Sequence, residues 1–415
     1  MIVVIGILAA IVIVAYNGIQ QRARVAVLQS DLKNASDQLG IDNVDNGTYP
    51  ATVAAANGGQ GLKASPGTTW QYTYTSAGNS YCITGTNGGA SYFASTANPT
   101  PQAGACPGDV NGGNGLVLTW SAQTASGIRQ WFDISGSADG SKLVAGDSAP
   151  GYLYRSTDYG VTWTQLTSAG SRVWYSVASS SDGTKLVAGT GAGNLYTSSD
   201  SGATWTLRAS PGISTWFALF SSADGTKLVA AQSGGYLYTS TDSGATWTQR
   251  TSLGSYNWTA LDGSSDGTKL VAGVYGPGGY LYTSTDSGAT WTQRTAAGAR
   301  SWHAVASSSD GTKLVATDNS PGYVYTSVDS GATWTQQVGV GSRYWGWAAI
   351  SSDGTKMLAG DYSAGYLYVS TDSGATWAAQ TGAGARNWYA GFSSTDGSRL
   401  TALDDGGYVY TGAYQ

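Results

Sequence analysis

The chain has no glutamate. All 25 of its acidic residues are aspartate, and histidine occurs once and cysteine twice in 415 residues. The metal-ligand and acid/base constellations built on Glu, His or Cys clusters are therefore largely excluded before any motif is sought, and no metal or cofactor is expected. Charged residues make up only 11% of the chain. The net charge is −5 and there is no basic run, which argues against a protein that tracks nucleic-acid phosphates. Good helix formers are scarce, which argues against a helical bundle or a long coiled coil over most of the length. In their place stand 60 glycines, with Asp, Asn and Ser for turns, and 27 tyrosines and 16 tryptophans among abundant Thr and Val for strands.

The first forty residues are a different material. Residues 1–16, MIVVIGILAAIVIVAY, carry no charge. Ile19, Val25, Leu28, Leu32, Ala35 and Leu39 then recur mostly at gaps of three and four, so one helix face is apolar. The spacing predicts a single helix over 2–39, stopped at Gly40. The charge-free run would extend about 24 Å as a helix, short of the roughly 30 Å hydrocarbon core of a bilayer. A secretory signal would need a basic region ahead of the apolar run and a small-residue cleavage site. The apolar run begins at Met1.

The string VVIGILAAIVIVAYNGIQQRAR resembles the N-terminal helix of type IV pilins and pseudopilins. In that family a short basic leader ends in Gly and is followed by Phe, a few residues, a Glu and the apolar run. Val3–Tyr16 matches the later part of that run, while the leader, the Phe and the Glu are absent, and Val14 stands where the family usually has Pro. The expectation is that the chain as written starts several residues late. The resemblance implies a helix that anchors in the bacterial cytoplasmic membrane and later packs against other pilin subunits in an extracellular fibre.

Residues 40–108 fit the globular part of a small pilin. Trp70–Thr75, Ser80–Thr84 and Ala90–Ala94 alternate like short antiparallel strands after the turn Asn46–Pro50. Cys82 and Cys106 lie here. In an apparently exported protein a disulfide between them is expected, and two free thiols are the alternative. A C-terminal disulfide loop is similar to that of many small pilins. Residues 109–115 read as a Gly/Asn linker, without the spacing of a calcium loop.

From 116 to 415 the chain repeats. Seven copies of Asp-Gly-Ser/Thr-Lys/Arg-Leu/Met begin at Asp139, Asp182, Asp224, Asp266, Asp310, Asp353 and Asp396. Six copies of Ser-x-Asp-x-Gly-x-Thr-Trp are centred on Asp158, Asp200, Asp242, Asp286, Asp329 and Asp372. A period of about 43 residues filled with strand and turn signals predicts four-stranded β-propeller blades. The seventh repeat stops before its octapeptide, and VLTWSAQ at 117–123 resembles the fourth strand, TWTQRT. The expected fold is therefore multidomain: a pilin-like α+β unit of one long helix and a small antiparallel sheet, then an all-β seven-bladed propeller closed by its own N-terminal strand.

The octapeptide resembles the Asp-box, or BNR repeat, of sialidases, sortilin-like receptors and photosystem assembly propellers. Its Asp residues are expected to be structural: the carboxylate accepts turn N–H groups, Gly adopts a left-handed angle and Trp packs beneath the hairpin. Sialidase chemistry would need a Tyr activated by Glu, an Arg triad and an Arg-Ile-Pro motif, and neither Glu nor that motif is present. A two-carboxylate mechanism would fall to Asp133, Asp262 and Asp405, which lie in different repeats. No catalytic residue is expected, and a fibre-tethered glycoside hydrolase is the least favoured reading.

The candidate binding residues lie on the opposite face from the octapeptides. Arg129, Arg172, Arg300, Arg343 and Arg386 each stand two residues before a repeated Trp. With Trp347, which falls outside the repeat pattern, they make a set suited to an anionic or sugar ligand. The competing structural reading pairs Arg129, Arg300, Arg343 and Arg386 with Asp147, Asp318, Asp361 and Asp404 at the end of the neighbouring strand. Arg172 has no such Asp and is the best candidate for a ligand-facing charge. The repeated Trp residues read as inter-blade packing, and His303 as a satisfied core or rim imidazole. The functional expectation is a minor or tip pilin displaying a propeller for adhesion to a host-surface protein or glycan. A pseudopilin of a secretion or DNA-uptake machine, with a protein-binding propeller, is the alternative.

Overall fold

The computed structural model describes residues 2–75, 78–87, 90–96, 98–103, 106 and 118–414, with helix side chains described from Ala23 onward. The chain divides into two compact units, Met1–Val117 and Leu118–Gln415. The Gly/Asn linker at 109–115 and the side chains of the charge-free run lie outside the described residues. Among the described residues no helix is long and apolar enough to cross a membrane.

In the first unit one helix spans Ile2–Asn46. Leu28, Leu32, Ala35 and Leu39 are buried against Tyr81, Ile83 and Ala94 of an antiparallel sheet. That sheet runs in sequence order through Thr69–Thr75, Ser80–Asn87, Ala90–Ser95 and Gln102–Ala103. The helix approaches closely at Gly85, where any Cβ would collide with Leu28 and Trp70. The expected stop at Gly40 is not used. A mid-helix glycine costs only about 1 kcal/mol, and tertiary bonds hold the extra turns. The Asp42 carboxylate accepts from Asn57 N at 2.8 Å and Gln38 Nε2 at 3.2 Å. The helix ends instead at Gly47, where φ is 72° and the N–H donates to Asn43 O. Cys82 and Cys106 form a disulfide.

The second unit is a series of four-stranded antiparallel sheets. In the fifth repeat strand A is Trp302–Ser307, B is Leu314–Asp318, C is Val324–Ser327 and D is Thr335–Gln337. Every A strand slips register just after its Trp, as between Trp302↔Asp318 and Ala304↔Thr317. The seven repeated Trp residues, from Trp131 to Trp388, are each at most 1% exposed. Trp174, for example, is buried with Val144 and Leu153 of the preceding repeat, so these indoles join neighbouring sheets. In the last repeat Leu118–Gln123 pairs antiparallel with Val409–Tyr414, where the other repeats have strand D.

Each octapeptide builds the same turn. Asp286 accepts from Thr290 N at 2.8 Å and Thr290 Oγ1 at 2.6 Å, and Ser284 Oγ accepts from Gly288 N at 2.9 Å. Two successive residues, Ser287 at φ 57° and Gly288 at φ 81°, take the left-handed conformation. Trp291 Nε1 donates to Gly288 O. The corresponding bonds from Thr recur at Asp158, Asp200, Asp242, Asp329 and Asp372. These carboxylates are thus committed to their turns.

Candidate functional site: the arginine cradles and the central channel

The five arginines share one cradle. A short turn ending in a left-handed glycine, such as Gly384 at φ 80°, precedes each of them. It aims a carbonyl back at the side chain, so Arg386 Nε donates to Ala383 O at 3.1 Å and Arg129, Arg172, Arg300 and Arg343 do the same to Ser126, Ala169, Ala297 and Val340. Each guanidinium lies over a strand C tyrosine, from 4.1 Å for Arg129 on Tyr154 to 4.8 Å for Arg172 on Tyr196.

Four cradles hold an internal carboxylate. Nη1 to Oδ2 distances are 4.0 Å for Arg129–Asp147, 3.7 Å for Arg300–Asp318, 3.6 Å for Arg343–Asp361 and 3.3 Å for Arg386–Asp404. Burial pushes the Asp147 and Asp404 carboxyls above their ordinary value, against the lowering pull of their arginines. The structural reading of these pairs is therefore correct in geometry. The four arginines are not free binding groups as they stand. Arg172 is exposed and, among the described residues, no carboxylate lies in ion-pair range of it. In repeats three and four Ser214 and Tyr256 take the arginine's place, and Tyr256 packs edge-on to Trp258.

Trp347 does not belong to this face. It is 5% exposed and is buried with Leu358, Leu367 and Trp388. Its indole fills the space above Gly360 and Gly391, neither of which has room for a Cβ beside it. Repeats one to five carry Ile, Val, Leu, Leu and Val at the position of Gly391, so Trp347 restores volume that its neighbour lacks. It is a packing residue and offers no sugar platform.

The A strands line a central channel with a volume of about 400 Å³. The register slip follows each Trp, and in five repeats the next residue, Phe132, Tyr175, Phe217, His303 or Tyr389, joins an aromatic cluster in the channel that sequence reasoning missed, while Thr259 and Gly346 hold the position in the other two. Phe132 stacks on Tyr175 at 4.4 Å and meets Tyr389 at 4.6 Å, and Phe217 and Tyr389 stand edge-on to His303. The signal was present as the recurring pairs Trp-Phe, Trp-Tyr and Trp-His. His303 Nδ1 bonds Gly346 O at 2.7 Å, and burial lowers its pKa, as befits a satisfied neutral imidazole.

Asp133 and Asp262 also line the channel, and both bridge sheets. Asp133 accepts from Ile134 N and from Val177 N of the next repeat, both at 2.8 Å. Asp262 accepts from Gly263 N and Ser307 N in the same way. Burial raises both carboxyls to about 7 despite these bonds. Each is partly reachable from the channel but densely surrounded by protein. Asp405 accepts from Tyr362 Oη at 3.2 Å. Among the described residues no group of three or more His, Cys, Asp or Glu could hold a metal ion.

Comparison with known proteins identifies the sheet architecture. YCF48 bound to a D1 peptide superposes with a TM-score of 0.56 at 16% identity, covering 72% of this chain and 97% of that one. The chain carries a β-propeller. The propeller domain of Myceliophteria thermophila Cps50 (Swd1) gives a TM-score of 0.57 at 13% identity, covering 72% of this chain and all of that one. An ancestral GH74 enzyme gives 0.55 at 16% identity, covering 70% of this chain and 46% of that one. Identities this low report the fold alone. No family model matches the chain, and no curated protein does.

Proposed function

We propose that the chain is a type IV pilin-like subunit, minor or tip, that displays a seven-bladed Asp-box propeller for adhesion or ligand recognition. The observation that carries the reading is the make-up of the first unit. A single helix from Ile2 to Asn46 packs on a small antiparallel sheet through its second half, at Leu28, Leu32, Ala35 and Leu39. The charge-free sequence 1–16 precedes that half, and a disulfide ties Cys82 of the sheet's second strand to Cys106 beyond its fourth. An apolar helix end ahead of a packed domain suits a membrane before assembly and a bundle of like helices afterwards. In this reading Leu118–Gln123 supplies the outer strand of the seventh blade and removes an edge that would otherwise be open to pairing.

The propeller's contact surface would be the arginine-bearing face. The octapeptide carboxylates are committed to turns, and the leftover Asp133 and Asp262 accept backbone N–H groups, so the chain reads as a binding protein rather than a hydrolase. The test is to label the propeller in cells and image their surface. Labels on long fibres, with attachment lost when residues 118–415 are deleted and fibres retained, are the expected result. Labels confined to a short periplasmic assembly would favour the pseudopilin reading instead.

A further inference from the structure

Four of the five arginine cradles contain the protein's own carboxylate, at 3.3–4.0 Å. The fifth is complete except for that group. Arg172 Nε donates to Ala169 O at 3.1 Å and its guanidinium lies 4.8 Å over Tyr196. Thr190 stands where the sister repeats have aspartate. Thr190 is buried and its hydroxyl donates to Asn194 O at 3.1 Å, so it offers Arg172 no negative charge.

We propose that Arg172 and the loop Thr190–Gly193 form a subsite for the carboxylate of an acidic sugar. The ligand's carboxylate takes the place that an internal aspartate fills in repeats one, five, six and seven. The inference rests on reading the propeller as a ligand-binding module. Arg172 is already fixed by a carbonyl and an aromatic face, so little side-chain freedom is lost when a carboxylate arrives. Charge-assisted bonds to guanidinium are the strong kind. The adjoining loop, Gly191-Ala192-Gly193, is nearly free of side chains, and Gly193 pairs with Ser214 across it. Gly191 and Gly193 are bonded through their backbone to Val173, Ser214, Thr215 and Trp216, which leaves the exposed backbone of Ala192 and the half-buried hydroxyl of Ser214 to meet a hydroxyl-rich ring. Residues 191–193 carry no side chain larger than a methyl group, so the loop gives the side chain of a peptide little to pack on, which favours the sugar.

The experiment is calorimetric titration of the full chain in detergent micelles with glucuronic acid and N-acetylneuraminic acid, each beside its methyl ester. The acids are expected to bind and the uncharged esters to bind at least about tenfold more weakly, as loss of one charge-assisted bond requires. Arg172→Gln should weaken the acids by a similar factor. Thr190→Asp should do the same by filling the subsite from within, with an unchanged or raised melting temperature because four sister repeats already carry that pair. Lys33→Gln, in the first unit and outside the propeller, should leave binding as in the parent chain. Full acid binding by Thr190→Asp or by Arg172→Gln overturns the proposal, and so does tighter binding of an Asp-rich peptide than of either sugar acid. Cell attachment that needs the propeller but ignores Thr190→Asp would leave the display reading standing and end the sugar assignment. Sugar-acid binding that responds to both substitutions, in cells whose attachment does not need the propeller, would support the subsite and end the adhesion reading.

Discussion

The backbone N–H of Thr395 donates to the carbonyl of Ala138 at 2.8 Å, joining the last repeat to the first. The same bond runs from Ala138 to Ser181, from Ser181 to Ala223, and onward through Ser265, Ser309 and Ser352 to Thr395, at 2.6–2.9 Å. The last junction is thus bonded like the other six. The side chains at that junction differ. Six lysines, such as Lys356 on Asp396 O, reach the next repeat's hairpin carbonyl, while Arg399 in the seventh lies 4.8 Å over the Tyr159 ring.

The strand Leu118–Gln123 should carry the stability of the last sheet. Trp120 packs on the core of repeats six and seven, against Gly412. Trp120→Ala is expected to cost about 3 kcal/mol, as large aromatic truncations do. Urea unfolding followed by tryptophan fluorescence measures it, and a loss below about 0.5 kcal/mol would show that the strand is dispensable.

Stability should fall on both sides of mildly acidic pH. Hydrogen bonds to Thr and Ser hold Asp200, Asp242 and Asp286 at about 2. Their contribution is present above the unfolded value near 3.8 and is lost as pH falls from about 4 to 2. Asp133 and Asp262 shift the other way, to about 7. Their folded sites prefer the proton, so stability declines as pH rises from about 4 through 7. Melting temperatures from pH 2 to 9 should show a maximum between these slopes. Asp133→Asn should flatten the upper one, and an unchanged upper slope in that variant would refute the assignment.

Reduction should act on one unit only. The Cys82–Cys106 bond closes a loop with a sequence separation of 24, for which chain entropy gives about 3 kcal/mol. Calorimetry of Cys82→Ser/Cys106→Ser should show one transition moved to lower temperature and the propeller transition unmoved. Displacement of both transitions together would contradict independent units.

Paired and unpaired arginines should differ. Arg386→Met removes an ion pair with Asp404 and a contact with Tyr410. It leaves a partly buried carboxylate without its cation, at a cost of about 1–2 kcal/mol. Arg172→Met, with no carboxylate to strand, should cost less than half as much in the same chemical denaturation. Equal losses would mean that the pairs contribute nothing.

Much of the repeated unit was legible because its determinants are local. The octapeptide turn is written in eight consecutive residues, and the Arg–Asp pairs follow from hairpin register. Leu28, Leu32, Ala35 and Leu39 marked the buried helix face by period alone. Trp347 misled because its environment belongs to another repeat: it is explained by Gly391, more than forty residues away. Gly40 misled because the bonds that carry the helix past it come from Asn57 and Gln38 meeting Asp42.

The sequence by itself determined the period, the turns, the strand order within each repeat and which of the five cradle arginines faces no aspartate across its hairpin, since each depends on neighbours in the chain or across one hairpin. Only the tertiary structure decided which side chains converge on the channel axis. It showed that Asp133 and Asp262 bridge successive sheets and that Trp347 fills a void. Those outcomes depend on surfaces contributed by different repeats, and a side chain's burial and charge state follow from everything packed around it.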